Sequence, residues 1–366
     1  MKKIGIDARL YGQTGVGVYI RNLLYFLDFC LPANYQLYVY LMDEDYKKAS
    51  FKNPNIIVKK ANFKWHTLEE QREFLEVINS HNLDLMHFTY FSYPIGYKKK
   101  FISTIHDLTP LLLQTGKAST RNIVIYKVKL FFLKKVFKSQ VKNAEYIITP
   151  TESVKEQLIE YYGGKITDKI IPIHEGVNEE IKKQKENSLL KGTIGEDFFF
   201  TLGNFYPHKN IASLVEAFAQ VKTDRKLILA GSKNLFSERI KNIVKKLKQE
   251  GRIIIFENPN ISDLVFFYKH AGALINPSIS EGFGLPLVEA AYFNCPVIAS
   301  NIPVFKEILG EEYISFDPND INDIIEKIQQ FQEYSRKFDN KKINAQYSFE
   351  QMTRETLNVY KKALNM

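Results

Sequence analysis

Cysteine is nearly missing from this chain: 366 residues carry two, Cys30 and Cys295. Two cysteines in apolar contexts exclude a disulfide framework and a cysteine-rich zinc site, and they suit a reducing compartment. Long apolar runs are missing too. No window reaches the roughly 18 uninterrupted apolar residues of a membrane span. The opening MKKIGIDARLYG reads as a strand entering a glycine-containing turn, not as the apolar core of a secretory leader. The seven histidines form no H-E-x-x-H, and no G-x-S-x-G elbow occurs, which removes two common hydrolase signatures. Acid is absent from one long stretch, Arg121–Asn143. Over the whole chain 50 Lys and Arg face 41 Asp and Glu, a net charge of +9. That balance asks for an anionic partner: nucleotide, nucleic acid or membrane surface.

What is present is a regular alternation of short apolar strands and amphipathic helices, the pattern of parallel sheets covered on both faces. The first series of strands is Lys3–Asp7, Gln36–Leu41, Asn55–Lys59, Leu85–Phe88, Phe101–Ile105, Tyr146–Pro150 and Ile170–Ile173. The second is Phe198–Leu202, Lys226–Ala230, Ile253–Phe256, Ala273–Ile275, Pro296–Ala299 and Ile314–Phe316. A length of 366 residues suits two such domains. The expected division is 1–177, a polar lysine-rich linker 178–197, a second domain 198–345, and a terminal helix 346–366 that packs back on the first domain or stays with the second.

The richest segment is Ala273–Ser300, ALINPSISEGFGLPLVEAAYFNCPVIAS. A strand feeds a glycine-rich turn, a helix follows, and another strand leaves, so ligands belong at the first strand's carboxyl end. Glu281 stands before the turn and Glu289 in the helix, with seven residues between them. Backbone N–H groups of Gly282, Phe283 and Gly284, just ahead of Leu285, would face an anion at the helix start. Two carboxylates beside an anion site fit a ligand with phosphate and several hydroxyls, such as a nucleotide sugar. Upstream, Lys209 in GNFYPHKN precedes the helix Ile211–Gln220, where a lysine meets a diphosphate as a point charge. Gly15 and Gly17 follow the first strand and open a helix without forming G-x-G-x-x-G. His106 and Asp107 end the strand Phe101–Ile105, and Asp7 and Arg9 end the first strand.

Taken in order, GIDARLYGQTGVGVYIRNL, TIHDLTP, GNFYPHKNIASLVEAF, LILAGS (with Gly231) and NPSISEGFGLPLVEA resemble a family 4 glycosyltransferase of GT-B architecture, over about Lys3 to Asp317. The resemblance implies an α/β fold of two Rossmann-like, doubly wound parallel-sheet domains facing across a cleft. It implies that Glu281 contacts the donor sugar, Glu289 the ribose hydroxyls and Lys209 the diphosphate. The loop Gly15–Gly17 would approach the donor phosphate, and His106 would lie beside the transferred sugar. Asp7, Arg9 and Asp107 fall on the acceptor side. The chain departs from the family at Asn204, where a basic residue often follows the motif's first glycine, and at His208, frequently Arg. Lys209 therefore carries more of the charge.

The same resemblance implies a retaining transferase that needs neither metal nor cofactor. It moves a hexose, with GDP-mannose as first guess, to a glycan or lipid-linked acceptor in surface-polysaccharide or lipopolysaccharide synthesis. A nucleotide-sugar epimerase on the same fold and a non-catalytic nucleotide-sugar binder are the other readings. Asp43-Glu44-Asp45 mimics the D-x-D element of metal-dependent transferases but reads as a polar surface turn. In the helix Arg121–Asn143, Lys127, Lys134, Lys138 and Lys142 share one stripe with Lys135 beside it, while Val124, Val128, Phe131 and Phe132 belong to a broad apolar surface. Such a helix suits an anionic membrane surface. Nucleic acid is disfavoured because the aromatics are expected to face inward. The expected location is cytoplasmic, peripheral on the inner face of the cytoplasmic membrane.

Overall fold

Buried on both faces, the strands of a parallel sheet are near-continuous apolar runs, and thirteen such runs build two sheets in the computed structural model. Residues 1–113, 123–331, 343 and 345–366 are described. The chain divides into two compact units, Met1–Glu175 with Ser348–Met366, and Gly176–Tyr347.

The first unit holds β1 (Lys2–Asp7), β2 (Tyr35–Leu41), β3 (Ile56–Lys60), β4 (Leu85–Phe88), β5 (Phe101–Thr104), β6 (Tyr146–Thr149) and β7 (Ile170–Pro172). Their order is β3-β2-β1-β4-β5-β6-β7, every pairing parallel. The second unit holds β8 (Phe199–Leu202), β9 (Leu227–Gly231), β10 (Ile253–Glu257), β11 (Ala273–Asn276), β12 (Val297–Ser300) and β13 (Ile314–Phe316), in the order β10-β9-β8-β11-β12-β13. Both sheets reverse their winding once, between β1 and β4 and between β8 and β11. In a doubly wound sheet that reversal opens the crevice where ligands bind, beyond the strands' carboxyl ends.

Helix ends are fixed by local chemistry. Thr151 accepts the amide of Val154 ahead of helix Glu152–Tyr162, and Asn234 and Ser237 form a reciprocal capping box on helix Leu235–Lys246. The helix Phe349–Ala363 packs on Val16–Cys30, within the first unit. Its Tyr360 bonds the buried His87 at 2.8 Å, and His87 in turn meets Thr104, which is bonded to Tyr19. The last segment thus contributes a layer to the sheet formed by the first half of the chain.

Two expectations need correction. The segment 178–197 is not a linker: Ile181, Leu190 and Ile194 are buried in the second unit's core beside Phe198 and Val265, on two short helices, Glu179–Lys183 and Leu190–Thr193. The basic helix spans Ile123–Asn143, and Arg121, Asn122 and the side chain of Val124 lie outside the description. Its buried face is Val136, Phe137, Gln140 and Val141, so Phe131 and Phe132 point outward, 65% and 56% exposed, with Val128 at 50%.

Candidate active site

In the second unit the crevice at the reversal of strand order is lined by the loops after β8 and β11. After β8, Pro207–Lys209 makes one 3-10 turn, and Asn210, in the left-handed region at φ 54°, starts the helix Ile211–Phe218. The loops are tied together by the Ile279 amide on the His208 carbonyl, 2.8 Å. A side chain on Gly231 would stand 2.1 Å from the Gly203 carbonyl oxygen, so this glycine lets the end of β9 close against the same loop.

Across this crevice Lys209 Nζ donates to Glu281 Oε1 at 2.6 Å, and Ser278 Oγ donates to the same oxygen at 2.8 Å. Asn276, the last residue of β11, holds Ser278 by accepting its amide, and its Oδ1, 2.7 Å from Ser278 Oγ, shares the single hydroxyl proton with Glu281. Burial alone would raise the Glu281 carboxyl, but the Lys209 charge and the bonds from Lys209 and Ser278 more than reverse it, leaving Glu281 below the ordinary range. Glu281 and Lys209 thus form a preset ion pair at the switch point.

Glu289 is held differently. It is 4% exposed in helix Leu285–Tyr292, and Tyr268 OH donates to its Oε2 at 2.8 Å. Burial pushes its carboxyl up to about 7, with the Tyr268 bond pulling the other way. Two carboxylates on one loop and helix are therefore driven apart by their surroundings, one fixed as an anion and one poised near neutrality. Between its ordinary value and about 7, folded Glu289 retains a proton that the unfolded chain has released, so stability declines as pH rises through that window. Glu289→Gln should leave the melting temperature unchanged near pH 5 and raise stability at about pH 8, by on the order of 2–3 kcal/mol. Scanning calorimetry at the two pH values checks this, and an equal effect at both would show that Glu289 is not the group that titrates.

Around the turn, Gly284 sits at φ 97° and starts the helix; a side chain there would press on Leu287 and Phe305, 3.1 Å away. Phe283 is a core residue, its ring edge-on to Tyr347, and Leu285 packs against the same core. Gly282 follows Glu281 in the turn, and Asn204 follows Gly203 in the β8 loop.

In the first unit, His106 Nδ1 lies 3.1 Å from Glu175 and Nε2 lies 3.0 Å from the Thr89 carbonyl. Both ring nitrogens thus face oxygen atoms of the first unit itself. Asp107 caps the following turn by accepting the Thr109 amide, 2.7 Å. Arg9 and Asp7 are buried. Instead of lining a surface, Arg9 spends its donors on Asp7, on Glu70 (2.7 Å) and on the Phe63 carbonyl, with its guanidinium 3.9 Å above the Phe74 ring. Gly15, at φ 63°, starts helix Val16–Cys30 in open space, whereas the place of a Gly17 side chain is filled by the carbonyls of Leu10 and Tyr11. Gly17 is required by the chain's own packing. Of the acidic triplet, Asp43 pairs with Lys60 and Asp45 accepts the Gly12 amide, within a short helix rather than a turn. Among the described residues no cluster of three or more His, Cys, Asp or Glu could hold a metal ion, and no helix is long and apolar enough to cross a membrane.

Sequence reasoning missed Ser278, Tyr268, Glu175 and Glu70. Ser278 was within reach, since it stands three residues before Glu281 in the quoted motif; the others lie 21, 69 and 61 positions from their partners.

Comparison with known proteins follows the same division. Residues 180–348 match the family described as "Glycosyl transferases group 1", and residues 14–181 match "Glycosyltransferase Family 4". The chain is 29% identical over 270 residues to the O-antigen chain mannosyltransferase RfbU of Salmonella typhimurium, covering 69% of this chain and 71% of that one. It is 26% identical over 239 residues to the serotype-specific mannosyltransferase WbdA of Escherichia coli, covering 62% of this chain but only 28% of that longer protein. A solved sucrose-phosphate synthase from Thermosynechococcus elongatus has the same fold, with a TM-score of 0.76, 18% identity and 99% of each chain covered.

Proposed function

Because the chain belongs to the group 1 glycosyl transferases, with a Glycosyltransferase Family 4 domain in its first half, and is a glycosyltransferase enzyme, we propose that it is a retaining, metal-independent mannosyltransferase of surface-polysaccharide assembly. The observation that carries this reading is the Lys209–Glu281 pair at the switch point of the second unit. A nucleotide-diphosphate sugar bound there places its diphosphate at Lys209, its sugar hydroxyls at Glu281 and its ribose at Glu289. The acceptor hydroxyl oxygen bonds to the sugar's anomeric carbon as the bond from that carbon to the diphosphate oxygen breaks. The hydroxyl proton passes to the departing diphosphate on the same face. Lys209 neutralises the charge that develops, which is the kind of preset electrostatic help that dominates such steps. GDP-mannose as donor is supported by the two mannosyltransferase relatives, and a glycan or lipid-linked acceptor by the O-antigen chain named for one of them.

The helix Ile123–Asn143 supports a location at the inner face of an anionic membrane. Exposed Val128, Phe131 and Phe132 lie among exposed Lys127, Lys134, Lys135, Lys138 and Lys142, the composition of an interfacial helix. The outward aromatics remove the reason first given against nucleic acid. Lipid is the better partner, since a Val-Phe-Phe patch gains by burial in acyl chains, and each well-placed lysine adds about 1 kcal/mol at an anionic surface.

One experiment tests both parts. The protein is incubated with radiolabelled nucleotide sugars, anionic vesicles and a bacterial lipid extract. Label from GDP-mannose should enter the lipid fraction, and the protein should sediment with the vesicles. Free epimerised nucleotide sugar would favour an epimerase, and binding without turnover a non-catalytic binder. A variant with Lys127, Lys134, Lys138 and Lys142 changed to Gln should stay in the supernatant; unchanged sedimentation would reject the membrane part alone.

A further inference from the structure

The buried charge cluster of the first unit ends in an exposed histidine that the donor chemistry does not use. Glu70 is fully buried, on a π-helical turn, and Arg9 clamps its Oε1. Ser92 Oγ lies 2.7 and 2.8 Å from the two Glu70 oxygens, so its one hydroxyl proton is committed to that carboxylate. The same Oγ lies 3.2 Å from His66 Nδ1. With its proton spent, Ser92 can only accept there, and His66 Nδ1 must carry the N–H.

A neutral imidazole protonated at Nδ1 leaves an in-plane lone pair on Nε2. Among the described residues Nε2 has no partner, and His66 is exposed. The ring is not adrift: it stacks on Phe91 at 5.7 Å, and the His66 amide donates to Glu70 Oε2 at 2.9 Å. These anchors hold His66 in the left-handed backbone region, φ 60°, a conformation that non-glycine residues keep only where their surroundings impose it. Burial of the inner part of the ring lowers the His66 imidazole; Glu70 opposes this and Arg9 adds to it, and the net direction favours the neutral ring. The cluster stands where β1 and β4 part: Asp7 ends β1, Ser92 follows β4, and Thr89 bonds the Asp7 carbonyl. That is the ligand-binding position of a doubly wound sheet, here in the unit that carries no Lys209 or Glu281.

We infer that His66 is an acceptor-binding residue, its Nε2 accepting a hydrogen bond from a hydroxyl of the pyranoside that receives the sugar. The assignment rests on the reading that the first unit presents the acceptor. Glu70, Ser92 and Arg9 act through His66 as positioning residues: they fix its tautomer and its backbone.

The test uses the full chain with 15N-labelled histidine, the His66→Ala variant serving to assign the signal. Nε2 should resonate as an unprotonated nitrogen and Nδ1 as a protonated one. The probes are octyl pyranosides of mannose, glucose, galactose and N-acetylglucosamine. At least one should move the Nε2 signal, and His66→Ala should weaken its binding about tenfold, the scale of one lost hydrogen bond. The thermal shift produced by nucleotide sugar should stay as in the wild type. Ser92→Ala, which removes the tautomer lock, should allow both tautomers to appear. A protonated Nε2, an Nε2 signal that none of the four glycosides moves, or equal glycoside binding by His66→Ala would overturn the inference. Absence of transfer from any nucleotide sugar by the wild-type enzyme would instead count against the mannosyltransferase reading, with the imidazole response still deciding the case of His66.

Discussion

Lys209→Ala is expected to lower the rate of sugar transfer by roughly 10²–10³, the usual cost of deleting one preset group that stabilises developing charge. Two separate losses contribute. The leaving diphosphate loses its point charge, and with Asn204 and His208 at the neighbouring motif positions there is little fixed positive charge to take over. Glu281 also loses the ammonium 2.6 Å away that holds its carboxyl down, so it drifts toward the protonated form and binds sugar hydroxyls less well. Glu281→Gln should cost a comparable factor through the second route alone. Stripping one partner from a buried pair also destabilises the fold, though the 21% exposed Lys209 side chain keeps this below the cost of a fully buried pair. The double variant Lys209→Met with Glu281→Gln should therefore recover melting temperature without recovering activity. Lys209→Arg should restore little, because a planar fork does not replace a compact ammonium on this geometry. Steady-state kinetics alongside thermal melts of the four variants checks the scheme; a fully active Lys209→Ala enzyme would dismiss the donor-site assignment.

The largest effect on stability is expected at Arg9. Arg9→Met leaves Asp7 and Glu70 as neighbouring buried carboxylates without their cation, a situation that costs about 3–5 kcal/mol. For a unit of this size, such a loss lowers the melting temperature by roughly 10 °C. Arg9→Lys should recover only part of it, since one ammonium cannot meet Asp7, Glu70 and the Phe63 carbonyl at once. Adding Glu70→Gln to Arg9→Met should return some of the stability by removing one of the stranded charges. Circular dichroism melts of the three variants are the measurement, and a shift of Arg9→Met within a degree of wild type would refute the clamp.

The sheets were legible because each strand is a short apolar run bounded by turn residues, a signal local to five or six positions. All thirteen runs appear as strands, shifted by at most a residue at either end. The loop after β11 was legible for a similar reason: its glycines, Glu281 and Ser278 stand within a few residues of one another. What escaped depends on partners far along the chain. Nothing near Glu70 announces Arg9, and nothing near His106 announces Glu175. The segment 178–197 misled because three buried residues, Ile181, Leu190 and Ile194, are outnumbered by lysines and polar side chains. In helix Ile123–Asn143 apolar residues run almost all the way round, so its own pattern cannot say which face is covered. Packing chose Phe137 and Val141 and left Phe131 and Phe132 outside.

The return of helix Phe349–Ala363 to the first unit has a consequence for the order in which the chain acquires its structure on the ribosome. Seven strands of the first sheet are complete once Pro172 has emerged, yet His87 must wait for Tyr360, and the helix Val16–Cys30 for its cover. At about 5–20 residues per second, that delay is roughly 10–40 s, during which the whole second unit is made. The nascent first unit spends this interval with one apolar flank uncovered, so its early clients are expected to be chaperones, and the second half of the chain is free to fold before the first half is finished.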